Sequence, residues 1–128
     1  MSGRVVHFEM PYDDKDRATA FYREAFGWRV EEMPGFDYSF VTTGPAGDDG
    51  AASEPGYIGG GMTPREDPVS GPVITIDTDD VTAALERVVE LGGSVLQERT
   101  PVGDMGFTGY FRDTEGTVVG LWESAPPA

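Results

Sequence analysis

The chain has 128 residues, 38% hydrophobic and 25% charged, a composition with room for one real core and unlike that of a disordered segment. Nine Lys and Arg against 23 Asp and Glu leave a net charge of −14 with no basic cluster, which argues against nucleic acid as a partner. Cysteine is absent, so disulfides, thiolate ligands and a Cys nucleophile are excluded; with no apolar run of membrane-spanning length and no signal-like N-terminus, a cytoplasmic protein is expected.

Val5 to Met10 alternates, with Val6, Phe8 and Met10 on one face and Val5, His7 and Glu9 on the other, and Pro11 is expected to end this strand. Asp13 or Asp14 is placed to cap a following helix, on which Ala18, Phe21, Tyr22, Ala25 and Phe26 recur at helical spacing until Gly27 ends it. Trp28 to Met33 and Tyr38 to Thr43 read as a hairpin across Pro34-Gly35. Gly44 to Gly56 reads as a mobile loop, and Tyr57 to Met62 as a fourth strand. Its three glycines, Gly59 to Gly61, mark a weak strand or a place where another group approaches the backbone closely.

After a linker, Thr63 to Gly71, the pattern restarts. Asp79-Asp80 repeats Asp13-Asp14, and Gly93 repeats Gly27, at one shared 66-residue offset. Pro72 to Thr78 is a strand with Val73, Thr75 and Asp77 on one face and Ile74 and Ile76 on the other. Val81 to Leu91 is a helix burying Ala84, Leu85, Val88 and Leu91, closed by Gly92-Gly93. Ser94 to Arg99, Gly106 to Asp113 and Thr117 to Glu123 are three more strands, with a turn at Asp113 to Gly116 and a frayed tail from Ser124. The prediction is one α+β domain: two paired βαβββ modules (about 3–62 and 72–123, linker 63–71) forming a curved mixed sheet around a cleft, helices outside.

The stretches HFEMPYDDKDRATAFYREAFGW, DTDDVTAALERVVELGG and GYFRDTEGTVVGLWE together resemble the vicinal oxygen chelate superfamily, which includes glyoxalases, extradiol dioxygenases and bleomycin-resistance proteins. The likeness is greatest to its small glyoxalase-like bacterial members. In metal-dependent members, the first and last strands of each module supply four ligands. Carried onto this chain, those positions are His7, one residue within Gly59 to Gly61, Val73 and Gly120. Only His7 can coordinate, whereas a catalytic divalent site usually needs about three protein ligands.

Glu9 shares the His7 face and is a candidate second ligand in a rebuilt site; Glu123, at an odd offset from Gly120, faces the other way. His7 reads either as a ligand-binding or acid–base imidazole held charged by Glu9, or as a hydrogen-bonded wall residue inherited from a lost metal site. Thr75, Tyr110 and Trp122 complete the expected ligand-binding set with His7 and Glu9. Phe40 and Tyr57 are further aromatic wall candidates, and Arg112 is either an anion anchor or a solvated strand end. The resemblance therefore implies a homodimeric protein that binds a small organic molecule without a metal cofactor. The alternative is a metal-dependent glyoxalase-like lyase, isomerase or dioxygenase.

Overall fold

A computed structural model describes residues 3–47 and 52–126. Two helices and eight strands run in the order β1 (Val5–Tyr12), α1 (Lys15–Phe26), β2 (Arg29–Glu32), β3 (Ser39–Thr42), β4 (Gly60–Pro64), β5 (Val73–Asp77), α2 (Val81–Glu90), β6 (Ser94–Val102), β7 (Gly106–Arg112) and β8 (Val118–Ser124). The protein is α+β, and both βαβββ modules are present. The described residues divide into two compact units: His7–Pro72, and residues 73–126 joined by 3–6.

In the first unit the strand order is β2-β3-β4-β1, with β1 parallel to β4 and the remaining pairs antiparallel. Phe8, Met10 and Tyr12 alternate onto the helix side of β1. There they meet Val30, Val41 and Met62 from the other strands, and Ala18 and Tyr22 from α1. Asp14 caps α1 by accepting from the Arg17 N–H at 3.0 Å, and Gly27 closes it at φ 73°, a left-handed angle that costs glycine little. The expected apolar stripe is only half used: Ala18 and Tyr22 pack, but Phe21 and Phe26 are 59% and 65% exposed.

Pro11 does not end β1. It pairs with Thr63, and Tyr12 pairs with Pro64, because the fixed φ of proline suits extended backbone and interrupts a ladder only where an N–H is required. For the same reason Thr63 and Pro64 belong to β4 rather than to the linker. Of the Gly44 to Gly56 loop, residues 48–51 lie outside the described residues; the flanks carry one isolated bridge, Ala46 to Ala52.

The second unit repeats the plan with order β5-β8-β7-β6 and β5 parallel to β8. Asp80 caps α2 through the Ala83 N–H at 3.1 Å, the counterpart of Asp14 at the 66-residue offset. Val81, Leu85, Phe111, Val119 and Leu121 form its core, with Ile76, Ala84 and Val88 packed against them. Two expectations change here. Leu91 is 61% exposed rather than buried. The left-handed residue is Gly92, at φ 102°, while Gly93 is needed for space: a Cβ there would stand 2.6 Å from the Arg112 carbonyl oxygen. The tail is anchored as far as Ala125, whose N–H donates to the Met105 carbonyl at 2.9 Å; residues 127–128 lie outside the described residues.

Glu123 ties three elements of this unit together. It lies on the helix side of β8, accepts from the free Val81 N–H at the start of α2 at 3.0 Å, and receives both arms of the Arg99 guanidinium from β6 at 3.0 and 2.8 Å. The Arg99 hydrogen bond and the Val81 N–H hold its carboxyl below the usual carboxylate range. Its side chain is only 13% exposed, so solvent screens this pairing less than it would a surface pair. Glu123→Ala is expected to cost about 2 kcal/mol in urea unfolding, since it strands a helix-terminal N–H and removes a bidentate partner. A folded pKa held below the unfolded one contributes stability that is present above the unfolded value and lost as pH falls through the folded one. The wild-type advantage over Glu123→Ala should therefore shrink on acidification below about pH 4, and an advantage that persisted at pH 2 would refute this origin.

Candidate functional site

His7 and Glu9 project from β1 on the sheet face opposite α1, because Phe8 and Met10 take the helix side. On β4, Gly61 pairs with Glu9; on β3, Phe40 pairs with Gly61. The side chain of Tyr38, just before β3, reaches back over Gly61, and a Cβ at that glycine would collide with the tyrosine hydroxyl. The hydroxyl lies 2.7 Å from His7 Nε2 in a hydrogen bond, the two rings are nearly parallel at 16°, and Phe40 meets the far edge of Tyr38. The glycine run of β4 is thus a place of close approach on both sides. Gly61 lies under Tyr38, and Gly60 lies against Phe8.

Burial pushes the His7 imidazole down to about 4, so the ring is neutral near pH 7. This corrects the expectation of an imidazole kept charged by Glu9: desolvation, rather than the neighbouring carboxylate, sets the direction. A neutral imidazole offers one donor and one acceptor, and the hydroxyl takes the Nε2 side. Glu9 is 6% exposed.

In the second unit, Thr75, Gly120 and Tyr110 stand in one row across β5, β8 and β7. A Cβ at Gly120 would stand 2.9 Å from Thr75 Oγ1 and 3.3 Å from Tyr110 Cε1, so the glycine lets these two side chains close over it. Thr75 and Tyr110 are buried. Trp122 occupies the next row, between Asp77 and Thr108, with its indole N–H donating to Ser124 Oγ at 3.1 Å. The expected site residues therefore fall into two groups, His7 with Glu9 in the first unit and Thr75 with Tyr110 and Trp122 in the second.

Of the secondary candidates, Tyr57 packs over Gly44, and Arg112 is exposed with its guanidinium donating to the Gly116 carbonyl. Tyr38 was missed in the sequence. The available signal was its i, i+2 relation to Phe40, which puts both on the His7 side of the sheet.

The divalent ion of the superfamily's metal-dependent members does not fit these residues. Gly61 is covered by Tyr38, Gly120 by Thr75 and Tyr110, and Val73 has no donor atom and is buried at 3% exposure. The remaining position, His7, has its Nε2 hydrogen-bonded to a phenol. Among the described residues no three His, Asp or Glu side chains are grouped in a way that could hold a metal.

Comparison with known proteins places this geometry. Residues 4–44 match the family described as bleomycin resistance protein-like N-terminal. A glyoxylase-like domain-containing protein of Didymella fabae is 31% identical over 121 residues, covering 91% of this chain and 90% of that protein. The glyoxylase-named protein CFP32 of Mycobacterium tuberculosis is 31% identical over 115 residues, and this chain spans 42% of its length. Among solved structures, a hypothetical protein of Bacillus halodurans C-125 aligns over 100% of this chain and 99% of its own, with TM-score 0.67 at 15% identity. Methylmalonyl-CoA epimerase of Streptomyces coelicolor aligns over 98% and 96%, with TM-score 0.64 at 20% identity, a likeness of fold alone. With two βαβββ modules, and a relative matched along nearly its whole length, the chain belongs to the vicinal oxygen chelate superfamily of glyoxalases, bleomycin-resistance proteins and dioxygenases.

Proposed function

We propose that this chain is a glyoxalase/bleomycin-resistance-like protein that binds a small organic molecule on the helix-free sheet faces of its modules, without the divalent metal of catalytic relatives. The observation that carries this reading is Tyr38. Its hydroxyl stands over Gly61 and occupies His7 Nε2, so His7 and the glycine run expected to hold the second metal position present a neutral, hydrogen-bonding aromatic surface instead. Phe40 extends that surface, and in the second module the partly exposed Trp122 indole lies one row from the buried Thr75 and Tyr110. Exposed flat rings with polar edges suit a planar, partly polar ligand. A homodimer and a cytoplasmic setting belong to the same proposal; light scattering on the purified chain tests the first.

The test is elemental analysis after incubation with nickel, zinc, manganese or iron(II), followed by a thermal-shift screen of aromatic small molecules. No retained metal, together with ligand-induced stabilisation that Tyr38→Ala and Trp122→Ala abolish, is the expected result. About one tightly held ion per chain, lost in His7→Ala, would overturn the reading and point to a metal-dependent lyase or dioxygenase instead.

A further inference from the structure

The second unit carries a groove unrelated to the sheet face described above. It runs between α2 and the edge strand β6, has a volume of about 720 Å³, and its lining includes Leu85, Val89 and Val95 together with Glu86, Glu90 and Glu98. Val89 is 54% exposed and Val95 38%, so these two apolar side chains are open to solvent, whereas Leu85 belongs to the core.

The electrostatics are one-sided. Arg99, the cation on the lining, is drawn away: its guanidinium is held by both oxygens of Glu123 and lies 3.5 Å over the Phe107 ring. Arg87 pairs with Glu90 at 3.0 Å. Glu86 and Glu98 have no ion pair with any described residue. An apolar strip between unpaired carboxylates is complementary to apolar side chains flanked by cations.

The form of the occupant follows from β6. An added strand would need a regular free edge. However, β6 shifts register between Val95 and Gln97 and again between Gln97 and Thr100, and Pro101 lacks an N–H. Irregularities of this kind blunt an edge against strand addition. A helix needs no backbone partner and can lay an i, i+3, i+4, i+7 apolar face into such a groove. We propose that the α2–β6 groove docks a cationic amphipathic helix of a partner protein. Its apolar face would cover Val89 and Val95, and its Lys or Arg side chains would meet Glu86 and Glu98.

The experiment uses the full chain and a fluorescein-labelled Leu/Lys amphipathic helical peptide, read by anisotropy, with a Leu/Glu peptide of the same pattern as the counter-probe. The wild type is expected to bind the cationic peptide and not the anionic one. Glu86→Lys/Glu98→Lys should weaken the cationic peptide about tenfold or more, since it turns two attractive pairs into repulsive ones, and should admit the anionic one. Glu24→Lys/Glu54→Lys alters net charge equally but lies in the first unit, and should leave binding within about twofold. Equal losses in both double variants would overturn the proposal by reducing it to net charge, as would failure of the wild type to bind. So would a wild-type dimer that Val89→Asp converts to monomer, because a second copy would then own the groove. Backbone NMR shifts on the wild type, expected at Thr82–Glu90 and at 95–99, keep the test independent of any variant's folding.

Discussion

Acidification from pH 7 to pH 4 is expected to remove about 3 kcal/mol of folding stability, and His7→Gln is expected to abolish most of that dependence. Burial of His7 lowers its folded pKa from 6.5 to about 4. The sign follows from proton counting. Between those two values the unfolded chain holds a proton on this ring and the folded chain does not, so the unfolded state binds more protons and stability rises with pH. The contribution is complete above about pH 6.5 and declines progressively toward pH 4. Glu32 and Glu123, whose carboxyls are held below their ordinary range, act lower, beginning only near the unfolded carboxylate value. The two windows are therefore separable in a urea series taken at several pH values.

His7 is the one histidine in the chain, so its ring resonance reports this group without ambiguity. A folded-state titration midpoint near 6.5 would sink the prediction. Tyr38→Phe provides a second reading. It removes the 2.7 Å partner of Nε2 while leaving the aromatic cover over Gly61, so it is expected to destabilise by about 1 kcal/mol at pH 7 with the pH slope retained.

Gly60→Ala is expected to be about as damaging, at about 3 kcal/mol, although it adds a single methyl group. A Cβ at Gly60 would stand 2.5 Å from the Phe8 carbonyl oxygen and 2.7 Å from the Phe8 ring. The strand cannot slide away: Gly60 is paired to Phe8 on one side and to Val41 on the other. The ring cannot move freely either, since Phe8 packs against Trp28 in the helix-side core. Relief requires prying β4 from β1, the parallel contact that closes the first unit. Gly71→Ala is the control, with nothing within 4 Å of the added methyl and no left-handed backbone; it is expected to change stability by less than about 0.5 kcal/mol. Equal urea midpoints for the two variants would show that β4 yields more easily than its pairing indicates.

These results also bear on how the superfamily's scaffold has been put to use here. Tyr38, Gly61 and His7 work as one unit. Glycine at 61 is what admits the tyrosine, and the tyrosine is what satisfies the buried imidazole. Placing a metal ligand at Gly61 would displace Tyr38 before any ion arrived, so a single substitution is not expected to build a metal centre. A screen of divalent ions against Gly61→Glu, read by retained metal, checks this directly.

What the amino-acid sequence determined by itself was the local and the repeated. Asp14 and Asp80 cap helices at a shared offset because capping depends on a few neighbouring residues. Strand alternation put His7 opposite Phe8 and Glu123 opposite Gly120, since the two-residue period is a property of one strand alone. The resemblance carried by three stretches was enough for the fold. The helix-flanked sheets then decided what alternation could not. Which helical positions are covered depends on how each helix is seated on its sheet, and Phe21, Phe26 and the C-cap Leu91 are left exposed. That Tyr38 lies over Gly61 depends on the lateral register of β3 on β4, and that Arg99 meets Glu123 depends on bringing β6 and β8 into reach of one another. The charge on His7 was the last of these. A pKa follows from desolvation by groups far away in the chain, and no neighbour-by-neighbour reading of the sequence contains them.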